Sequence, residues 1–180
     1  MIIPLLLSAT VTVIGMKTPV CDSDLRSGEL CQDCKKKLAE GKISELDFEV
    51  AQILFRINER YNITAASFHK AIDLGRVVLI LTKGEVGLLI GKEGKIVAEI
   101  SHSLGKKVRI AEAGGDVKKT IADIITPARL LGINRVFHEG REITRVRLSK
   151  SDLQQLPLDL SSLERVLKSL LEEDVKIVFE

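Results

Sequence analysis

Two glycines three positions apart, Gly91 and Gly94, restrict this chain's fold more than any other feature. They enclose two polar residues, Lys92 and Glu93, between the apolar run Val86–Ile90 and a stretch with Ile96, Val97, Ile100 and Leu104 at helical spacing. Glycines there let two helices meet in a tight turn without Cβ clashes. They also leave room for a phosphate–sugar backbone to approach the peptide backbone. The N–H groups that open the second helix, with Lys92 and Lys95, favour phosphate. Ile90 and the neighbouring sheet would line an apolar groove. A bare GxxG also fits a plain helix–helix hairpin. Here Ile90 precedes it, Lys95 follows it, and the strand Lys107-Val108-Arg109-Ile110 comes after the second helix.

The surrounding periodicities give an order of elements. Ser44 caps a helix bearing Leu46, Val50, Ile53, Leu54 and Ile57, with Glu45 and Asp47 in its first turn. A strand places Ala66, Phe68 and Lys70 on one face, the turn Asp73-Leu74-Gly75 follows, and Arg76–Leu81 reads as a central strand of a hairpin. After the glycine loop, Gly105 ends the second helix and Val108–Ala111 forms a short strand. The same order then recurs. Asp116 caps a helix that Pro127 terminates, strands lie near Ile133–Phe137 and Ile143–Leu148, and Ser151–Leu156 is a short helix. Ser161 and Glu164 form a capping box for a last helix, and Val175–Phe179 is a closing strand. This is an internal duplication with a degenerate second copy.

The run VGLLIGKEGKIVAEISHSLGKKVRIAE resembles the core of a KH domain, and the element order resembles the type II arrangement. The resemblance covers about residues 44–180, is sharp over 84–112, and is strongest to the archaeal NusA-like proteins with two KH units in tandem. It implies an α+β fold of tandem type II KH-like units (αββααβ twice, the second degenerate) and single-stranded RNA as the partner. The boundaries read are 1–16, an apolar extension; 17–42, a zinc-clip segment; 43–114, the KH domain with the glycine loop; and 115–180, the degenerate unit. The candidate RNA-binding residues are Ile90, Gly91, Lys92, Glu93, Gly94, Lys95, Lys106, Lys107 and Arg109. A NusA-like role implies an adaptor in transcription elongation or termination that meets RNA polymerase or elongation factors. A ribosome-associated or RNA-processing protein, and a scaffold that no longer binds RNA, are the alternatives. In the second unit Pro157-Leu158-Asp159-Leu160 stands where the glycine loop belongs. Proline lacks an N–H, the leucines would crowd a backbone, and Asp159 repels phosphate. Arg135, Arg141, Arg145 and Arg147 read either as an electrostatic guide for RNA or as a solvated strand face.

All three cysteines lie between positions 21 and 34, which suits a metal site in a reducing compartment better than a disulfide framework. Cys31-x-x-Cys34 is half of a zinc knuckle, and Cys21-x-x-Asp24 sits where a second CxxC would be. Three outcomes are open: structural zinc on Cys21, Asp24, Cys31 and Cys34, zinc with another fourth ligand, or a site that has lost its metal.

Only 3% of the residues are aromatic, which argues against a binder that stacks bases on rings. The net charge of +2 is too small to indicate nucleic acid by itself, so any basic patch must be local. No catalytic set can be argued from the three isolated histidines, and neither an enzyme nor a small-molecule substrate is expected. Residues 1–16 are nearly all apolar. They are short for a membrane span, lack the leading charge of a signal peptide, and precede Met16, a possible true start. A cytoplasmic protein without membrane attachment is expected.

Overall fold

The computed structural model describes residues 15–180 apart from position 172 and the side chain at 169; the apolar run at 1–14 lies outside them. In chain order the elements are α1 (Asp22–Ser27), α2 (Gln32–Ala39), α3 (Glu45–Tyr61), β1 (Ala66–Asp73), β2 (Val77–Gly84), α4 (Val86–Ile90), α5 (Lys95–Leu104) and β3 (Lys107–Glu112). Then follow α6 (Val117–Ile125), β4 (Leu130–His138), β5 (Arg141–Leu148), α7 (Leu160–Leu171) and β6 (Asp174–Phe179). Short stretches of 3₁₀-helix occupy Lys92–Gly94 and Lys150–Gln155. The α+β fold with two copies of one unit is therefore present. Each copy has a three-stranded sheet, ordered β1-β2-β3 or β4-β5-β6, with an antiparallel hairpin and a parallel third strand.

β2 holds the molecule together because both of its faces are buried. Val78 and Ile80 join a core with α3, α4 and α5, through Val50, Leu54, Ile57, Leu89, Ile96 and Ile100. Leu79 and Leu81 point the other way, into a second core with Ile121, Ile124 and Ile125 of α6, Leu163 and Leu167 of α7, and Val146 of β5. Each fully buried aliphatic side chain contributes about 1.5–3 kcal/mol. A typical exposed ion pair contributes about 0–1 kcal/mol. The two units are consequently joined by a shared apolar core and not by their surface charges.

Four local details differ from the sequence reading. The segment 17–42 is not only turns: α1 and α2 form there, and Met16, Val20, Leu25 and Cys34 are buried in the first core. Lys17 pairs with Ser67, its carbonyl accepting the Phe68 N–H at 2.8 Å, so this segment lies along β1. β1 carries a bulge between Phe68 and Lys70, which turns Ala71 inward instead of Lys70. The helix expected at Ser151–Leu156 is a 3₁₀ turn over Lys150–Gln155. Finally, α7 starts one residue earlier than its expected cap. Asp159 accepts the Ser162 N–H at 3.0 Å and the Ser161 hydroxyl at 2.6 Å, bonds that hold its carboxyl down at about 2, below the ordinary carboxylate value. Glu164 is thereby released from capping and accepts the Ile177 N–H of β6 at 2.8 Å.

Asp47 fastens α3 to β1. It is 1% exposed, completes a capping box with Ser44 (Ser44 N–H to Oδ2, 2.8 Å), and accepts the Ala71 N–H beyond the bulge at 2.6 Å. Asp47→Ala strands two backbone donors and should cost about 2–4 kcal/mol in urea unfolding. Asp47→Asn, which keeps one acceptor, should cost less; equal losses would mean that the bond to Ala71 contributes little.

Candidate nucleic-acid interface and metal centre

The loop Gly91–Gly94 is held by backbone geometry that few residues other than glycine tolerate. Gly91 has φ of +74°, and a Cβ built there would stand 2.7 Å from Ile96 Cγ1. Gly94 has φ of +75° but more open surroundings, so its requirement is conformational only. Between them Glu93 also adopts a left-handed φ of +55°, uncommon for a side chain of its size. α4 turns Leu89 inward, fully buried, and leaves Ile90 42% exposed. Gly94 caps α5 without any side-chain hydrogen bond, which leaves the positive end of this helix open beside exposed Lys92 and Lys95. The Lys95 ammonium sits 5.5 Å above the Tyr61 ring, an interaction shared with Arg60 at 5.6 Å, and Arg60 also pairs with Glu99.

Below the loop is a cleft of about 160 Å³, with Val86, Ile90 and Ile110 as its apolar lining. Its other wall carries Glu112, Asp116, Lys119 and Asp123, supplied by the end of β3, the N-cap of α6 and α6 itself. One end is thus basic and the opposite wall is mainly acidic. A polyanionic backbone is drawn to the lysines and repelled by the carboxylates, so bases entering the cleft would meet apolar side chains first and carboxylate acceptors beyond them.

The structure brings together Ile90, Gly91, Lys92, Glu93, Gly94 and Lys95, and separates the remaining candidates from them. Lys106 pairs with Asp73 at 2.6 Å, on the turn side of β1, and this bond holds the Asp73 carboxyl below its ordinary value. Lys107 is exposed at the start of β3, in register with Val77. Arg109 lies opposite Leu79, on the face of the sheet that meets the second unit. Its guanidinium donates to the carbonyls of Asp123 at 2.9 Å and Thr126 at 3.3 Å, the end of α6. It ties the two units together and does not line the cleft. Sequence reasoning missed the contribution of α6, whose Asp116, Lys119 and Asp123 enter the cleft only because the two units pack together. In the second unit Leu158 packs on the shared core, with Cδ2 4.0 Å from where a Cβ would stand on Gly75. That loop is occupied by packing.

Cys21, Asp24, Cys31 and Cys34 converge, with one donor atom from each lying within 4.8 Å of all the others. α1 and α2 each begin at a cysteine, Cys21 and Cys31, which sets these residues side by side. The Cys34 and Cys21 sulfurs are 3.5 Å apart, and Asp24, 2% exposed, accepts the Cys31 N–H at 3.0 Å. Burial, with the Asp24 carboxylate beside it, pushes the Cys34 thiol up to about 12. Burial alone would raise Asp24, but bonds from Cys34, Cys31 and Ser23 outweigh it and its carboxyl lies below the ordinary value. Ligand atoms around tetrahedral zinc lie roughly 3.8 Å apart, given Zn–S bonds of about 2.3 Å. The cluster fits a metal of this kind after small shifts, with the Cys21 and Cys34 sulfurs moving slightly apart and the wider pairs closing.

Comparison with known proteins bears on the same region. Residues 32–113 match the model of the NusA-like first KH domain. The "Probable transcription termination protein NusA" of Methanocaldococcus jannaschii is 42% identical over 55 residues, covering 31% of this chain and 30% of that protein. The protein of the same description from Methanococcus vannielii is 33% identical over 58 residues, covering 32% and 34%. The matched region thus spans about a third of these curated relatives. A solved structure described as "Crystal structure of APE1850" superposes with a TM-score of 0.47 at 20% identity, covering 67% of this chain and 91% of that one. The part of the chain that is similar to the NusA-like first KH domain, residues 32–113, thus contains the glycine loop, the apolar side of the cleft and the first sheet.

Proposed function

We propose that this chain binds single-stranded RNA at the Gly91–Gly94 loop and acts as a non-enzymatic adaptor in transcription elongation or termination. The observation that carries the binding is the loop itself. Left-handed Gly91 and Gly94 expose backbone beside Lys92, Lys95 and the open start of α5, directly above an apolar cleft. A KH clamp of this kind holds about four nucleotides. The phosphates lie at the lysine end. The bases lie over Ile90 and Ile110, where the carboxylates of Glu112 and Asp116 suit the exocyclic amines of cytosine and adenine better than the carbonyls of uracil. The transcription assignment rests on the resemblance to NusA-like proteins, and RNA polymerase or elongation factors are the partners it suggests. Crosslinking in cells tests it: nascent transcripts across many genes support the reading, and ribosomal RNA alone replaces it with a ribosomal role.

Substituting Asp for both Lys92 and Glu93 takes the charge summed over Lys92, Glu93 and Lys95 from positive to negative, entirely through Lys92, since Glu93→Asp keeps a carboxylate. Affinity for short single-stranded RNA should fall at least tenfold, about 1.4 kcal/mol. An unchanged dissociation constant would place the binding surface elsewhere.

We also propose that Cys21, Asp24, Cys31 and Cys34 hold one structural zinc ion. The three thiolates and one carboxylate are anionic when bound, so zinc must displace the thiol protons, that on Cys34 above all. Affinity should therefore rise with pH. The metal would fix α1 and α2, whose buried Leu25 and Cys34 join the core behind α3. Native mass spectrometry should find about one zinc per chain. Chelation or Asp24→Ala should lower the thermal midpoint, and Asp24→Cys should hold the metal more tightly. A folded protein that takes up no zinc when zinc is supplied would show that the site is not a metal centre.

A further inference from the structure

The two sheets use their second faces differently. In the first unit the face that carries Leu79 and Leu81 is buried against α6 and α7. In the second unit the corresponding face is open, and its residues alternate with the buried Thr144, Val146 and Leu148. Register puts Arg145 of β5 opposite Asn134 of β4 on one side and Lys176 of β6 on the other. Arg147 is the next residue of β5 on that face, and Arg141 stands at the hairpin end. Like charges directly opposite each other on adjacent strands destabilise a sheet, yet Arg145 and Lys176 are such a pair.

Among the described residues, nothing neutralises this cluster fully. Of the acidic groups on the face, Glu180 is taken by Arg147 at 2.6 Å and Asp174 by Lys168 at 2.5 Å. Among the described residues, Arg141, Arg145 and Lys176 form no ion pair within 4.0 Å. The Nε of Arg147 is buried without an acceptor. The apolar residues of the face, Val136, Ile143 and Val178, are aliphatic, and its ring, that of His138, stands opposite Arg141 at the hairpin end, away from Arg145 and Lys176. Such a surface suits the phosphates of a nucleic acid far better than its bases.

We propose that this open face is a second RNA contact, a sequence-independent seat for the phosphate backbone of the strand whose bases enter the cleft under Gly91–Gly94. It rests on the RNA-binding reading above and extends it. It also gives the second unit a binding role that does not need the lost glycine loop. A polyanion lying across β5 and β6 relieves the repulsion between Arg145 and Lys176, and the two weak contacts reinforce each other on one RNA chain.

The test compares an unstructured 6-nucleotide RNA with a 30-nucleotide RNA on the full chain, by fluorescence anisotropy over a series of salt concentrations. In the Arg145→Ala/Lys176→Ala variant the 30-mer should bind about tenfold more weakly at low salt. The slope of log affinity against log salt should become shallower by about 1.4, roughly 0.7 for each lost phosphate contact. The 6-mer should bind as before. Thermal midpoint should be unchanged or higher, since the variant removes a repulsive pair, and Arg145→Lys/Lys176→Arg should bind like the original. Unchanged affinity and slope for the 30-mer overturn the proposal, and so does an equal loss for both RNAs. If the original protein fails to bind the 6-mer, the clamp reading fails, while the 30-mer slope still decides on this face.

Discussion

The rest of the structure depends on the burial of β2 on both sides. An ordinary half-covered sheet would give this strand one apolar and one polar face. Here the run Val77–Leu81 is apolar throughout, sending Val78 and Ile80 to the helices of its own unit and Leu79 and Leu81 to those of the next. That single strand fixes the glycine loop, because α4 and α5 pack on one of its faces. It also fixes the second unit, because α6 and α7 pack on the other. Separating the units would expose several fully buried aliphatic side chains at about 1.5–3 kcal/mol each, a loss no surface ion pair could offset.

The shared core has a consequence for the binding site. A lone KH unit would have its cleft edged by β3 and open beyond. Here α6 stands against that edge, and its N-cap Asp116, with Asp123 a little further on, makes the far wall acidic. Arg109 secures this arrangement by donating to the end of α6. The duplication has thus given the second copy two structural tasks at the first site: it walls the cleft, and it buries the reverse face of the sheet. Its own glycine loop has given way to Leu158, which packs over the β1–β2 turn.

Much of this was legible in the residues. Gly91 and Gly94 mark the loop because both have positive φ and Gly91 has no room for a Cβ. α3 was readable from the spacing of Val50, Leu54 and Ile57, and the capping box at Ser44 marks its start. The position of Arg109 follows from its neighbours in the strand. In a strand where Val108 and Ile110 face the helices, the residue between them must face away. Other features lay beyond sequence reasoning. The bulge in β1 changes which face Lys70 and Ala71 occupy, and no single residue announces it. Ser161 and Asp159 both make plausible caps for α7, and only the path of β6, which claims Glu164, decides between them. The acidic wall and the open basic face arise from how the units pack, information held by residues distant in the chain.

The most direct measurement for the central claim is a backbone-amide NMR titration of the full chain with a short single-stranded RNA. The account predicts that the largest shifts fall on Ile90 to Ile96 and on Ile110 at the edge of the cleft, with little change at Leu158 to Leu160. Shifts confined to the second unit, or none at all at saturating RNA, would contradict it.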